Sequence, residues 1–158
     1  ICWGMQVAVT AAGGTVKKGQ NGAHRGIAHE IKINNNGLAH PIYKNKKKIF
    51  NTPAFNYDEV VTFPNNTILL SSNKTNKVMG LNFKTETSNI WGIQYHPEIT
   101  YDKMITLINF RKERLLENKS FNDEKELVSH IQLIENENKK SNKDARMMEL
   151  KNWLDFIG

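Results

Sequence analysis

The sequence predicts an α/β fold, and three observations carry the prediction. Cys2-Trp3-Gly4 opens the chain with the spacing of a strand that turns sharply into a helix. Residues 15–95 then read as short strands parted by tight turns. The last of them, residues 90–95, is apolar and is stopped by Pro97, which has no N–H to give to a ladder. From Thr100 onward the apolar pattern takes the period of a helix and keeps it.

Cys2 is the only cysteine, so no internal disulfide forms, and a lone thiol beside glycine is a candidate nucleophile. Gly4 brings no side chain into a crowded bend, and such a bend holds a nucleophile above a sheet with the next N–H groups free. The positive end of a helix starting there lowers a thiol pKa from its usual value of about 8.5. A free cysteine also packs as a small buried hydrophobe, and the first six residues leave both readings open. A helix over residues 5–12 follows, ended by Gly13-Gly14. Residues 15–18 form a short strand, and residues 19–26 a Gly-rich loop with His24 and Arg25 but no phosphate-loop or dinucleotide spacing. Residues 27–33 alternate as a strand with His29 on its exposed face, and Asn34-Asn35-Asn36-Gly37 signals a turn. His40, before Pro41, reads as a loop residue. Neither histidine has a ligand partner at useful spacing, so no metal and no cofactor is expected. Pro64-Asn65-Asn66 is a turn, residues 67–72 and 77–83 are strands, and residues 84–89 are a polar turn into the apolar strand.

That strand delivers His96 to its end, on the rim where open α/β sheets build their sites. Glu98, two residues on, can reach one ring nitrogen while the other faces a thiol, the arrangement of nucleophile, base and orienter. Beyond it, Met104, Leu107, Ile108 and Leu115 fall on one helical face. Ser120 can cap a second helix from Asp123, with Leu127, Ile131 and Ile134 inward. Residues 136–142 read as a polar linker. A third helix runs from about Asp144 with Met147, Leu150, Trp153, Leu154 and Ile157 as its stripe. Such stripes make core or oligomer contacts, which casts the tail as scaffolding.

Cys2-x-Gly4-x-Gln6 together with Gln94-Tyr95-His96-Pro97-Glu98 resembles the class I, triad-type glutamine amidotransferase domain. There the nucleophile motif is Gly-x-Cys-x-Gly-x-Gln and the base motif is His-Pro-Glu. Gly13-Gly14-x-Val16, Asp58-x-Val60 and Phe63-Pro64 extend the resemblance. Asn152-Trp153-Leu154 is similar to the stand-alone GMP-synthase-like subgroup, so the resemblance covers essentially the whole chain. It implies the C-terminal portion of a flavodoxin-like, three-layer α/β/α domain, with an antiparallel strand extension and a helical tail. The family's first strands, the Gly before the elbow and the loop that gives an oxyanion N–H are not in this sequence, so an N-terminally truncated fragment is expected. Residues 1–110 would be the C-terminal part of the amidotransferase domain, and residues 111–158 a helical extension packed on it.

The resemblance further implies Cys2 as nucleophile, His96 as base, Glu98 as its orienter, Trp3 N–H at the oxyanion and Gln6 at the substrate's amino-acid end. The family segment Ser-His-x-Asp, which lines the glutamine pocket, here reads Phe55-Asn56-Tyr57-Asp58. Asn56 stands for the His and bulky Phe55 for a small residue. The backbone of this segment can still hold the two ends of glutamine, and Phe55 and Tyr57 can equally be core aromatics. The implied activity is hydrolysis of glutamine through a γ-glutamyl thioester, with ammonia passed to a synthetase partner or domain. Two alternatives stand beside it: a γ-glutamyl amide or peptide hydrolase with the same triad, and a non-catalytic binding or regulatory domain.

The formal net charge of +6 lies wholly in residues 1–100, which carry eleven Lys or Arg against five acids. Those cations, notably Lys44, Lys46, Lys47 and Lys48, are not interleaved with aromatics in a docking motif, so a solvated loop is expected and no nucleic-acid partner. No apolar run approaches the roughly 20 residues of a membrane span, and no signal-peptide pattern opens the chain. A catalytic thiol needs reducing surroundings, so a cytoplasmic setting is expected.

Overall fold

Helix α1 (Trp3–Ala11) begins one residue after Cys2 and lies against a curled sheet in the computed structural model, which describes residues 1–158. Two narrow antiparallel ribbons flank the sheet. One pairs β1 (Thr15–Lys18) with β6 (Asp58–Thr62), the other β2 (His24–Arg25) with β5 (Phe55–Asn56). The sheet itself has five strands: β3 (Ala28–Ile33), β4 (Ile49–Thr52), β7 (Ile68–Ser72), β8 (Gly80–Lys84) and β9 (Asn89–Ile93). Their spatial order is β4-β3-β7-β8-β9, each neighbour antiparallel to the next. The mixed α/β class expected from the sequence is the one observed.

Alternation along the strands sorts the core onto two sides. Ile31, Ile33, Leu70, Met79, Ile93 and Tyr95 share one buried cluster; Met5 and Val9 of α1 join Val60, Leu81 and Phe83 in another. Each such side chain withdrawn from water contributes roughly 1.5–3 kcal/mol before entropy is counted. A bulge between Ala28 and Ile31, with Glu30 at φ 48°, resets the alternation of β3 and leaves His29 exposed.

The helices after the sheet are α3 (Tyr101–Phe110), α4 (Lys112–Glu117), α5 (Glu124–Lys140), α6 (Lys143–Arg146) and α7 (Met148–Ile157). A third cluster joins Ile108, Leu115, Leu127 and Ile134 to Ile27 at the sheet margin. Packing is therefore continuous through residues 110–111. Gly26 permits this approach: at φ 97° it lies where a Cβ would sit 2.8 Å from Ile134 Cδ1 and 2.9 Å from Ile108 Cδ1. No helix is long and apolar enough to cross a membrane.

Several local expectations give way to the structure. Residues 34–37 do not close a turn but start a short helix, α2 (Asn35–Ala39), because the Asn34 side chain accepts the Gly37 N–H at 2.9 Å. The short polar side chain that favours turns is equally a helix cap. His40 caps a 3-10 turn, Pro41–Tyr43, and stacks edge-on against Trp91 at 4.6 Å. Asp123, not Ser120, caps α5 through the Glu126 N–H, while Ser120 is buried beside Tyr57. Residues 136–140 continue α5 instead of forming a linker, since its apolar stripe needs only Leu127 and Ile134 and Lys139 and Lys140 suit the negative end of the helix. The ladder strand stops at Ile93, two residues before the expected end, and β8 starts at Gly80 instead of residue 77.

The tail departs most. Its buried residues are Glu149 and Asn152, while Trp153, Leu154 and Ile157 of the expected apolar stripe, and Phe156 beside them, are exposed. Asn152 Nδ2 donates to the carbonyls of Ile42 at 2.9 Å and Lys44 at 2.8 Å, and Glu149 takes Lys46 Nζ at 2.8 Å. The face of α7 that docks is set by hydrogen-bond partners waiting in the domain, which periodicity cannot register.

Candidate active site

Cys2 occupies the turn into α1 with φ 47° and ψ −115°, a left-handed φ that a non-glycine residue adopts at a cost of about 1–3 kcal/mol. Its N–H donates to Ile93 O at 2.7 Å, which ties the turn to the end of β9. Gly92 lets α1 come this close: a Cβ there would sit 2.5 Å from Met5 Cγ. The Trp3 N–H opens the helix with no acceptor of its own, and donors at a helix start have no intrahelical partner.

His96 follows the same strand end and is held by its N–H to Pro53 O at 2.8 Å. One ring nitrogen, Nδ1, meets Glu98 Oε1 at 2.6 Å, and the Cys2 side chain lies close enough to the ring to favour its charged form. Burial disfavours the charged ring, but the contacts with Cys2 and Glu98 prevail and push the His96 pKa up to about 9. For Glu98, burial favours the neutral acid, but the hydrogen bond from His96 holds the carboxyl below its usual range. The structure thus brings together all three residues of the sequence motif, with the imidazole in contact with the carboxylate and near the sulfur.

A fourth side chain reaches the sulfur. Gln94, fully buried, donates from Nε2 to Cys2 Sγ at 3.4 Å and accepts at Oε1 from Gln6 Nε2 at 3.0 Å. Gln6 spends its other amide proton on Asp58 O at 2.9 Å. Both Gln6 donors are therefore turned inward, which fixes its amide and leaves Oε1 as its open function. Gln94 was not among the expected site residues. Period-2 alternation could have found it, since Gln94 lies two residues before His96 in the stretch 90–95 that the sequence reads as a strand.

The segment before β6 contributes backbone rather than side chains. The Cys2 thiol donates to Phe55 O at 3.9 Å. The Phe55 ring packs at 6.1 Å on Tyr57, under the Arg111 guanidinium, and Tyr57 Oη meets Ser120 Oγ at 3.0 Å. The Asn56 side chain is consumed in a buried network: its Oδ1 faces His24 Nδ1 at 2.8 Å, and its Nδ2 donates to Asp58 O and to Asn76 Oδ1. Asn73 donates to the far nitrogen of His24 at 3.0 Å. Burial, opposed by the hydrogen bonds to Asn56 and Asn73, keeps His24 below its ordinary pKa, so it serves this network as a neutral ring. No group of three or more His, Cys, Asp or Glu side chains is arranged to hold a metal ion.

Comparison with known proteins adds to this geometry. The family model for glutamine amidotransferase class-I matches residues 1–112. The γ-glutamyl-L-1-hydroxyisopropylamide hydrolase of a Pseudomonas species is 26% identical over 180 residues, covering 99% of this chain and 59% of its own length. A glutamine-hydrolyzing GMP synthase subunit of Methanococcus vannielii is 31% identical over 114 residues, covering 71% of this chain and 57% of its own. The chain thus spans less than two thirds of the length of either relative. Among solved structures, a glutamine amidotransferase of Thermotoga maritima has the same fold, with TM-score 0.68 and 16% identity over 94% of this chain and 58% of that one.

Proposed function

The chain belongs to the glutamine amidotransferase class-I family, and from that premise we propose that it hydrolyses the side-chain amide of glutamine with Cys2, His96 and Glu98. One observation carries the reading: a thiol on a strained helix-start turn, an imidazole near it, and a carboxylate 2.6 Å from that imidazole. With the thiol proton held on His96 as the imidazolium, Cys2 Sγ attacks the side-chain carbonyl carbon of glutamine. The carbonyl electron pair moves to oxygen, where the Trp3 N–H donates to it. As the tetrahedral intermediate collapses, the C–N bond breaks and His96 returns its proton to the leaving nitrogen. Ammonia departs, and a γ-glutamyl thioester remains. Water then attacks that carbonyl while His96 takes its proton, the C–S bond breaks, and glutamate leaves with Cys2 restored. Glu98 keeps the ring in the right tautomer and stabilises its charged form. Gln6 Oε1 and the Phe55 carbonyl are acceptors suited to the substrate's α-ammonium group.

In this reading the ammonia passes to a synthetase partner or domain, as the name of the methanogen relative suggests. A second reading uses the same triad on other γ-glutamyl amides, with release of the amine to solution. Its support is that the Pseudomonas hydrolase matches 99% of this chain, tail included, whereas the GMP synthase relative covers 71% of it. The test is release of glutamate from glutamine and from a γ-glutamyl alkylamide by the intact protein, alone and with Cys2→Ala. Loss of on the order of 10⁴-fold or more with Cys2→Ala supports the triad. Undiminished release by that variant refutes it. Preference for the alkylamide selects the second reading.

A further inference from the structure

The residues around His96 are held from outside the sheet, by the last two helices. Tyr95, immediately before His96, is fully buried and donates its hydroxyl to Glu149 Oε1 at 2.7 Å. Tyr43 Oη lies 3.0 Å from that hydroxyl and 2.7 Å from Ser71 Oγ, so the phenol is fixed from both sides. Glu149 is itself 1% exposed, and its other oxygen receives Lys46 Nζ. Beyond His96, Arg146 Nη1 donates to the carbonyls of Pro97 and Ile99, the latter at 3.0 Å.

The bonds from α6 and α7 therefore fall on positions 95, 97 and 99, and the two positions between them are His96 and Glu98. Apart from the His96 N–H bond to Pro53 O, residues 95–99 make no backbone bond to another strand, and such a loop would otherwise sample many states, of which the short His96–Glu98 contact needs one. The character of the docking points the same way. A helix held by packing alone buries its apolar stripe; α7 instead buries a carboxylate and an amide, each aimed at a specific partner. A buried ion pair adds little net stability, because desolvation offsets its attraction.

We propose that Arg146 and Glu149 are positioning residues, and that α6 and α7 form a brace that holds residues 95–99 so that His96 and Glu98 stay aligned on Cys2. This rests on the triad reading of the site. The brace makes the reaction dependent on a segment far from the sulfur in sequence, and undocking of the tail would misalign the base without touching the nucleophile. The titratable groups acting on His96 are Cys2 from the start of α1 and Glu98 from its own loop. Loosening the loop weakens the Glu98 contact, which destabilises the imidazolium and moves its titration to lower pH.

The test is made on the intact protein with Arg146→Ala, Arg146→Lys and Tyr95→Phe. Glutamate release is followed as a function of pH, and folding is checked by circular dichroism. With Arg146→Ala, kcat is expected to fall roughly 10- to 100-fold with KM within about twofold. The alkaline limb of the profile, expected near the His96 value of about 9, moves to lower pH. Arg146→Lys, which keeps one cationic donor, recovers part of both. A folded Arg146→Ala protein with unchanged kcat and unchanged alkaline limb overturns the proposal. If Arg146→Ala does not fold, Tyr95→Phe decides: it removes only the hydroxyl that meets Glu149, and a limb shifted in the same direction supports the brace, while an unshifted one overturns it. Cys2→Ala separates the two claims. Full activity in that variant removes the triad reading and the brace with it, whereas an inactive Cys2→Ala beside a wild-type-like Arg146→Ala removes the brace alone.

Discussion

Replacing Glu98 with Gln tests the geometry of the site with the least disturbance of its shape. The substitution keeps the side chain's length and its oxygen, and removes one negative charge 2.6 Å from His96 Nδ1. The His96 pKa stands at about 9 because contacts with Cys2 and Glu98 outweigh burial, which by itself would lower it. The sign follows directly: the carboxylate stabilises the imidazolium, so its loss lowers the pKa and shifts the alkaline limb of the rate profile to lower pH. An opposite charge in contact is worth roughly one to three units, and Cys2 remains in place, so a fall of about one unit is expected. The Gln amide can also present a donor to Nδ1 and favour the wrong tautomer, which costs on the order of 10²-fold in kcat. The assay is glutamate release between pH 6 and 10, with alkylation of Cys2 by iodoacetamide over the same range as a readout independent of substrate. An alkaline limb still near 9 and a kcat within about twofold of the parent would refute the claim that Glu98 orients and charges His96.

Two further outcomes follow from the packing around the thiol. Gln94→Leu removes the amide that donates to Cys2 Sγ and leaves Gln6 Nε2 short of an acceptor in a buried site, so a loss of roughly 1–3 kcal/mol of stability is expected together with slower alkylation of Cys2; thermal unfolding and alkylation rates measured side by side check it, and unchanged alkylation would show that the amide does not stabilise the thiolate. Gly92→Ala drives a Cβ against Met5 and Leu81, costing about 1–3 kcal/mol by overpacking. Because Met5 belongs to the helix that starts at Cys2, its kcat is expected to fall further than its Tm implies, and a variant with lowered Tm but full kcat would contradict that link.

The elements legible in the sequence were those whose cause is local. Strand alternation, the Gly13-Gly14 stop and the apolar faces of α3 and α5 depend on neighbours within a few residues, and they fell close to expectation. The errors came where one residue type serves two local structures. Asn34 could close a turn or cap a helix, and the choice went to the cap through the Gly37 N–H. In the tail, periodicity identified a helix and its apolar stripe but not the face that docks, because Glu149 and Asn152 find partners on Tyr95, Lys46 and the carbonyls of Ile42 and Lys44. Those partners lie between 54 and 110 residues away in the chain.

The sequence by itself determined the chemistry available: one thiol before a helix, a histidine at a strand end, and a carboxylate two residues later, all within motifs short enough to read directly. Only the tertiary structure decided what surrounds them. It turned Gln94 onto the sulfur, committed the Asn56 side chain to His24 and Asn76, offered the Phe55 carbonyl to the thiol, and set Arg146 and Glu149 on either side of the base. The reason is physical: a motif encodes groups joined by a few bonds, whereas the contacts that aim those groups form between segments that meet only when the sheet, α1 and the last helices have packed.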